Sequence, residues 1–328
     1  MIDPILVEVT RTPLSESVHR GAAVVVAADG RVIAAWGDVD RPVFPRSAIK
    51  FIQALPLIES GAADAFGVTD AELALACASH NAEPRHVAIV RQWLARLGLS
   101  EDDLHCGPHT PTDPDAAEAM FRAGIIPTRA FNNCSGKHTG FLTLAKHLDA
   151  DTRGYAKPPH IVQQQTIAAL SELSEVQADT FAIANDGCGA ANYALPLQAL
   201  ARAFAKLSDP RQLPPHRAAA VARLQAAILA DPFLIAGTGR SCTQLIEAAK
   251  GQAWVKIGAE GVYVACLPTQ RLGIAVKIAD GAQRAATIAI AALLNRFGAL
   301  PDRTLMVQPI VNTRSEIVGH MRPANGWL

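Results

Sequence analysis

AWVKIGAEGVYVACLPTQRLGIAVKIAD (residues 253–280) contains three runs, AWVKIG, GVYVACLP and RLGIAVKIAD, rich in β-branched residues and joined by short turns, the first of them built around glycines. Such a pattern predicts an antiparallel meander. Near the other end of the chain, GAAVVVAADGRVIAAWGDVD (21–40) places two β-rich runs around Asp29-Gly30, a strong hairpin signal. Between these regions apolar residues recur at i, i+3 and i+4 over 46–60, 70–79, 83–97, 115–123, 136–148, 159–173, 190–207 and 215–230, so these segments read as helices, the first with a bend near Pro56. FAIAND (181–186) reads as a short strand entering a glycine-rich turn. An Ala-rich helix is expected at 281–298, followed by a Pro-rich tail (301–323) expected to be irregular and on the surface.

Strands at both ends and helices in the middle imply an α+β (αβα) fold: an antiparallel sheet from the N- and C-terminal segments, flanked by helices, with a helical lobe inserted. The expected organisation is a single domain of two lobes, a sheet lobe over about 1–60 and 250–328 and a helical lobe over about 61–249. A cleft between two lobes is the default place for a site.

Composition narrows the function classes. The chain has 328 residues, half of them hydrophobic, and its 30 Lys and Arg balance 30 Asp and Glu. That length supports a large core, and the balanced charge argues against a nucleic-acid partner. MIDPILVEVTRTPLSES lacks a basic segment followed by an apolar run, so no export signal is expected. The apolar stretches, such as AATIAIAALL (285–294), fall short of the roughly 20 residues that span a bilayer. A cytoplasmic protein with no membrane partner is expected. Six cysteines without a C-x-x-C pair read as small buried hydrophobes rather than a disulfide framework.

FPRSAIKFIQALP (44–56) sets Ser47 and Lys50 one helical turn apart on an otherwise apolar segment. A serine hydroxyl is a poor nucleophile until a base takes its proton, and a lysine in dry surroundings can serve as that base. An N-cap serine followed by a snorkelling lysine would look the same in isolation. Two further motifs favour chemistry: Ser79-His80-Asn81 at the end of a helical segment, and Lys256-Ile257-Gly258 on an expected strand. The order Ser-x-x-Lys, Ser-x-Asn, Lys-x-Gly is that of the serine β-lactamases and penicillin-binding proteins.

A second cluster joins FNNCSGKHTGF (131–141) to IANDGCGAANY (183–193). Cys134 and Cys188 with one nitrogen ligand and a water would suit an open tetrahedral zinc site. General chemistry favours His138 as the nitrogen ligand, because Lys137 would first have to lose a proton. Two buried cysteines beside a helix cap is the alternative without metal.

RSAIKFIQ (46–53), CASHN (77–81), FNNCSGKHTGF (131–141), ANDGCG (184–189) and KIGAEGVY (256–263) together resemble the rhizobial-type L-asparaginases, or asparaginase II family, across nearly the whole chain. The resemblance implies a serine β-lactamase-like fold and hydrolysis of L-asparagine to L-aspartate and ammonia. It makes Ser47 the nucleophile and Lys50 its base, and pairs Ser79 with a second lysine, placed at Lys256 with Lys277 as the rival. It assigns zinc to Cys134, Lys137 and Cys188, as a support for substrate positioning, and moves His138 to the substrate pocket. Arg46 and Asp186 suit the charges of an α-carboxylate and an α-ammonium, and His80, Asn81 and His138 suit further polar contacts. The family also implies a homodimer. Rival readings are a β-lactamase-like or glutaminase amidohydrolase and, from another class, a non-catalytic amino-acid-binding protein.

Overall fold

The structure is a computed structural model that describes residues 2–11 and 13–328. Its strands are β1 (Ile5–Arg11), β2 (Leu14–Ala27), β3 (Val32–Trp36), β4 (Pro42–Val43), β5 (Ala182–Asn185), β6 (Ala191–Pro196), β7 (Trp254–Ile257), β8 (Val262–Leu267), β9 (Leu272–Ile278), β10 (Gln308–Val311) and β11 (Ile317–Pro323). The helices are α1 (Lys50–Glu59), α2 (Ala62–Ala65), α3 (Asp70–Ala76), α4 (Pro84–Arg96), α5 (Pro114–Arg122), α6 (Ser135–His147), α7 (Ile161–Ser174), α8 (Leu197–Ser208), α9 (Pro215–Ala230), α10 (Phe233–Ala236), α11 (Ser241–Ala249) and α12 (Gln283–Arg296). Among the described residues no helix is long and apolar enough to cross a membrane.

The main sheet is antiparallel and runs β10-β11-β1-β2-β9-β8-β7, with β3 added on β2. Strand β2 is long enough to serve two neighbourhoods. Its first half pairs with β1, whereas Gly21–Ala27 pairs with β9 on one side and, over Ala23–Val26, with β3 on the other. The hairpin expected around Asp29-Gly30 is present, with Gly30 at φ 88° in the left-handed region a tight turn needs. The meander expected over 253–280 is β7-β8-β9, and it joins the N-terminal hairpin through β2 and β9. The arrangement is α+β.

Strand β8 is buried at every position. Successive side chains of a strand point to opposite faces, so both faces of this part of the sheet must be covered. Helix α12, apolar and buried from Ala285 to Leu294 but for one position, supplies one cover, and α8 supplies another. A Cβ built on Gly273 would lie 2.1 Å from Ala205 N and 2.2 Å from Ala201 O, so the backbone of β9 runs directly against α8. Helix α8 therefore covers the sheet although it comes from the segment 61–249.

Two expectations are corrected. The tail over 301–323 is not irregular: β10 and β11 extend the sheet beyond β1. Its prolines mask a strand signal but do not obstruct pairing, because Pro309 lies on the outermost strand, where a missing N–H need not serve a ladder. The helix predicted over 190–207 begins only at Leu197, and Ala191–Pro196 is β6. Pro196 disfavours a helical residue before it, and Tyr193 is fully buried in the strand. Strand β6 centres a small sheet, β4-β6-β5, that carries residues 42–43 against 195–196 and so sets Arg46 beside the turn after β5.

Helix α1 ties the two regions together. Residues Lys50–Leu57 are all buried, and the helix continues through Pro56 to Glu59. Phe51 stacks on Trp254 of β7 with ring centroids 4.8 Å apart and leans on Phe204 of α8 at 6.2 Å. Its other faces pack on α6, α7 and α9.

The α8–β9 contact yields the first prediction. Gly273→Ala should destabilise the protein by about 2 kcal/mol or more, because the atoms in the way are backbone and cannot swing aside. Urea denaturation measures this, and an unchanged midpoint would contradict the close approach.

Candidate active site

Ser47 lies on a single 3₁₀ turn, Arg46–Ile49, that leads into α1. The residue before it is strained: Arg46 has φ 54°, a left-handed conformation that costs a side-chain-bearing residue about 1–2 kcal/mol. The surroundings hold it there. Arg46 N donates to Asn192 Oδ1 at 3.3 Å, and Arg46 Nε donates to Asp186 Oδ1 at 2.7 Å. Burial would raise the Asp186 pKa, but the Lys137 cation and the Arg46 guanidinium outweigh it and hold the carboxyl below its usual range. Strand β7 closes the other side of the turn. A Cβ on Gly258 would lie 2.4 Å from Pro45 O and 3.3 Å from Ala48 N, so only glycine lets the strand end come this close.

Two lysine amines meet at one hydroxyl. Lys50 Nζ donates to Ser79 Oγ at 3.1 Å, and Lys256 Nζ donates to the same oxygen at 2.8 Å. Both lysines are fully buried, and Ser79 is 6% exposed. Lys50 also donates to Ala78 O and, at 3.1 Å, to Cys134 Sγ, whereas Lys256 donates to Ile257 O at 3.0 Å. Burial pushes the Lys256 pKa down to about 7, with the charges of Lys50 and Arg240 acting in the same direction. Among the described residues no hydrogen bond joins Ser47 to Lys50; the Lys50 amine turns inward to Ser79. Lys277, the other lysine of the meander, stands apart and donates to Glu260 O and Ile278 O.

Each member of this group is fixed by a different part of the chain. Helix α1 carries Lys50. Ser79 follows α3 in an extended segment whose backbone is clamped, with Ser79 N donating to Ile235 O, His80 N to Asn133 O and Asn81 N to Ala236 O. Lys256 sits on β7, which is pinned where Ile257 N donates to Cys242 Sγ at 3.2 Å.

The cysteine cluster adjoins through Lys50. Cys134 precedes α6, Lys137 lies in its first turn, and Cys188 lies in the turn between β5 and β6. Lys137 Nζ donates to Cys188 Sγ at 3.1 Å. A hydrogen bond from Cys134 and the Lys137 charge pull the Cys188 thiol down to about 4, while sharing that hydrogen bond and burial push Cys134 up to about 12. Burial opposes the Lys137 charge, but the two sulfurs more than offset it and raise the lysine pKa. The pair thus holds one thiolate. Two sulfurs and one nitrogen converging from three positions, all buried, form a soft donor set of the kind zinc takes. Among the described residues no three His, Cys, Asp or Glu side chains gather as a metal site, so the lysine is needed to complete the set.

The remaining polar residues differ in how far they are committed. Both ring nitrogens of His80 are occupied, Nδ1 by Ala82 N and Nε2 by Ser135 Oγ, and the ring stacks on His86. Asn81 is also engaged at both ends of its amide: its Nδ2 donates to Thr238 O, and its Oδ1 accepts from Thr112 and Arg240. His138 pairs Nδ1 with Tyr155 OH at 2.8 Å, while its buried Nε2 has no partner among the described residues. Arg46 and Asp186, expected to bind opposite charges of a ligand, bind each other. Arg240 and Thr112 are not among the residues legible in the motifs, although the Gly-flanked GTGR (237–240) is a signal for a shaped loop.

A cavity of about 340 Å³ lined by Arg41, Phe44, Arg46, Asn192, Glu260 and Lys277 adjoins the strained arginine. A larger one, about 550 Å³, lies between α4 and α5, is mainly apolar, and includes none of the clustered residues.

The family model described as L-asparaginase II matches residues 7–323. No curated protein sequence matches the chain. Among solved structures, the native form of Mglu is similar at TM-score 0.45 and 14% identity, over 86% of this chain and 65% of Mglu. The chain therefore spans just under two thirds of Mglu's length. A β-lactamase from Mycobacterium bovis is similar at TM-score 0.43 and 16% identity, over 84% of this chain and 94% of its own. D-alanine carboxypeptidase AmpC from Burkholderia cenocepacia is similar at TM-score 0.39 and 14% identity, over 83% of this chain and 93% of its own.

Proposed function

The chain belongs to the L-asparaginase II family, a family of amidohydrolases, and from that premise we propose that it hydrolyses L-asparagine to L-aspartate and ammonia through an ester on Ser47. The observation that carries the reading is the buried chain Lys50–Ser79–Lys256, whose Lys50 follows Ser47 by three residues at the entrance to α1 and in which one amine has a pKa of about 7. A general base works best when its pKa lies near the operating pH.

The steps follow from the groups present. Ser47 Oγ attacks the side-chain amide carbon, and its proton passes into the lysine–serine chain. Among the described residues the backbone N–H groups of Ser47 and Ala259 donate to no protein acceptor, and both flank the point where the Gly258 strand end meets the Ser47 turn. They are the donors for the tetrahedral oxyanion. Collapse of that intermediate breaks the C–N bond, and the chain returns a proton to the departing nitrogen, which leaves as ammonia. Ser79 suits this exchange because a hydroxyl accepts from one amine while donating to the other. Water then attacks the ester carbonyl and gives its proton to the same chain, the C–O bond to Ser47 breaks, and the chain passes that proton to Ser47 Oγ, which releases L-aspartate and restores the hydroxyl.

Cys134, Lys137 and Cys188 are the residues that would hold zinc, which when bound supplies a fixed positive centre beside Asp186 and the Ser47 turn. Lys137 then serves as a neutral donor, and its proton is lost on binding.

Ser47→Ala should lower ammonia release from L-asparagine roughly a thousandfold or more while leaving the melting temperature near that of the unaltered protein. The same assay gives the pH dependence. Lys256 must be neutral to accept a proton, so kcat/KM should rise about tenfold per pH unit below 7 and level off above it. Activity that persists in the alanine variant, or a rate that falls as pH rises through 7, would contradict this mechanism.

Zinc is tested separately by metal analysis of the purified chain. About one zinc per chain is expected, with loss on Cys188→Ser and on Lys137→Met. Retention of zinc by both variants would exclude these ligands.

A further inference from the structure

Among the described residues no carboxylate pairs with Arg240. It immediately precedes α11, partly buried. Its Nη1 donates to Asn81 Oδ1 at 2.6 Å and to Thr112 Oγ1 at 3.1 Å, both neutral acceptors. Glu83, on the segment after Asn81, is occupied elsewhere: it accepts from Thr238 N at 2.7 Å and from Thr238 Oγ1 at 2.8 Å. Arg46 is different, because its guanidinium is already paired with Asp186. An anion entering the site thus meets one arginine that is neutralised and one that is not. The charge of Arg240 is felt at the centre of the site, where it helps lower the pKa of both Lys256 and His80.

Its position relative to the chemistry follows from the extended segment 79–81. Ser79 N and Asn81 N donate to consecutive carbonyls, Ile235 O and Ala236 O. Alternate residues of an extended segment project to the same side, about 7 Å apart along it. Ser79 Oγ meets the lysines, and Asn81 Oδ1, two residues on, meets Arg240. Ser79 Oγ and Asn81 Oδ1 therefore face the same side of the segment, and the guanidinium lies on the side that carries the lysine–serine chain.

We propose that Arg240 receives the α-carboxylate of the substrate and so restricts the site to free amino-acid amides, against amides whose carboxylate is absent or capped. The assignment rests on the amidohydrolase reading above and adds a residue that selects the substrate. Asn81 and Thr112 orient the guanidinium and leave its other nitrogens for the ligand.

The test compares L-asparagine with 3-aminopropanamide, which keeps the amide and the ammonium but lacks the carboxylate. Arg240→Gln should raise KM for L-asparagine roughly 10- to 100-fold, the loss of a charged hydrogen-bonded contact, with kcat within about threefold. Measured on the high-pH plateau, where Lys256 is neutral with or without the Arg240 charge, its kcat/KM for 3-aminopropanamide should change less than about twofold, and Arg240→Lys should recover part of the affinity for L-asparagine. Calorimetry of L-asparagine binding in the Ser47→Ala background, with and without Arg240→Gln, reads the same contact without turnover. Equal losses on both amides, or an L-asparagine affinity indifferent to Arg240→Gln, would overturn the proposal. A binding loss confined to L-asparagine, in a protein that releases no ammonia from it, would support the carboxylate receptor and remove the hydrolase reading.

Discussion

Two lysine amines share one serine hydroxyl in the interior of this protein, and the rest of the site is arranged around that constraint. A charged amine taken out of water costs several kcal/mol even after relaxation. The structure offsets this cost with carbonyl oxygens, Ala78 O for Lys50 and Ile257 O for Lys256, and with the sulfur of Cys134. What remains is expressed as a lowered pKa at Lys256, whose two unlike neighbours, a dry wall and a second amine, both favour the neutral form. The three partners come from residues 50, 79 and 256, so the arrangement exists only when α1, the segment after α3 and β7 are packed together. Phe51, stacked on Trp254 and leaning on Phe204, is the apolar contact that holds α1 to the sheet next to Lys50.

The second organising feature is charge carried from one cluster to the next. Lys50 touches Cys134, the cysteines share a thiolate, Lys137 lies on Cys188, and Asp186 stands between Lys137 and Arg46. Cations and anions alternate along this line. Arg46, in a left-handed conformation immediately before Ser47, is held by the last member of the line, so the backbone strain before Ser47 is maintained by the same charges. A change at Lys137 or Asp186 is therefore transmitted to Ser47 through Arg46.

Much of this was legible in sequence, for physical reasons that differ by element. The hairpin and the meander have period-two patterns and short turns, which are local signals, and their pairing into one sheet followed from the need to bury both. The meeting of Lys50, Ser79 and Lys256 was legible from the order of three short motifs on helix, loop and strand, whereas the expected contact of Ser47 with Lys50 is not among the hydrogen bonds of the described residues. The C-terminal strands were hidden by Pro309 and Pro323, whose composition reads as loop until the partner strand β1 is known. Strand β6 was hidden because ANYALP is continuous with an Ala-rich helix, and only its pairing with β4 and β5 distinguishes them. The partnership of Arg46 with Asp186 and, among the described residues, the lack of a carboxylate on Arg240 are long-range facts that no local pattern encodes. The engagement of His80 and Asn81 belongs largely to the same class, since all their partners but Ala82 are distant in sequence: Ser135, Thr112, Thr238 and Arg240.

Ser79 touches both amines, whereas Ser47 is half-buried on its turn, where among the described residues its own N–H and that of Ala259 donate to no protein acceptor, so the identity of the esterified serine tests the account most directly. The protein should be quenched in acid during turnover of L-asparagine, digested, and mapped by mass spectrometry. The account predicts an aspartyl ester on the peptide that contains Ser47 and an unmodified peptide containing Ser79. An ester on Ser79, or rapid turnover with no esterified serine under conditions that trap one, would contradict it.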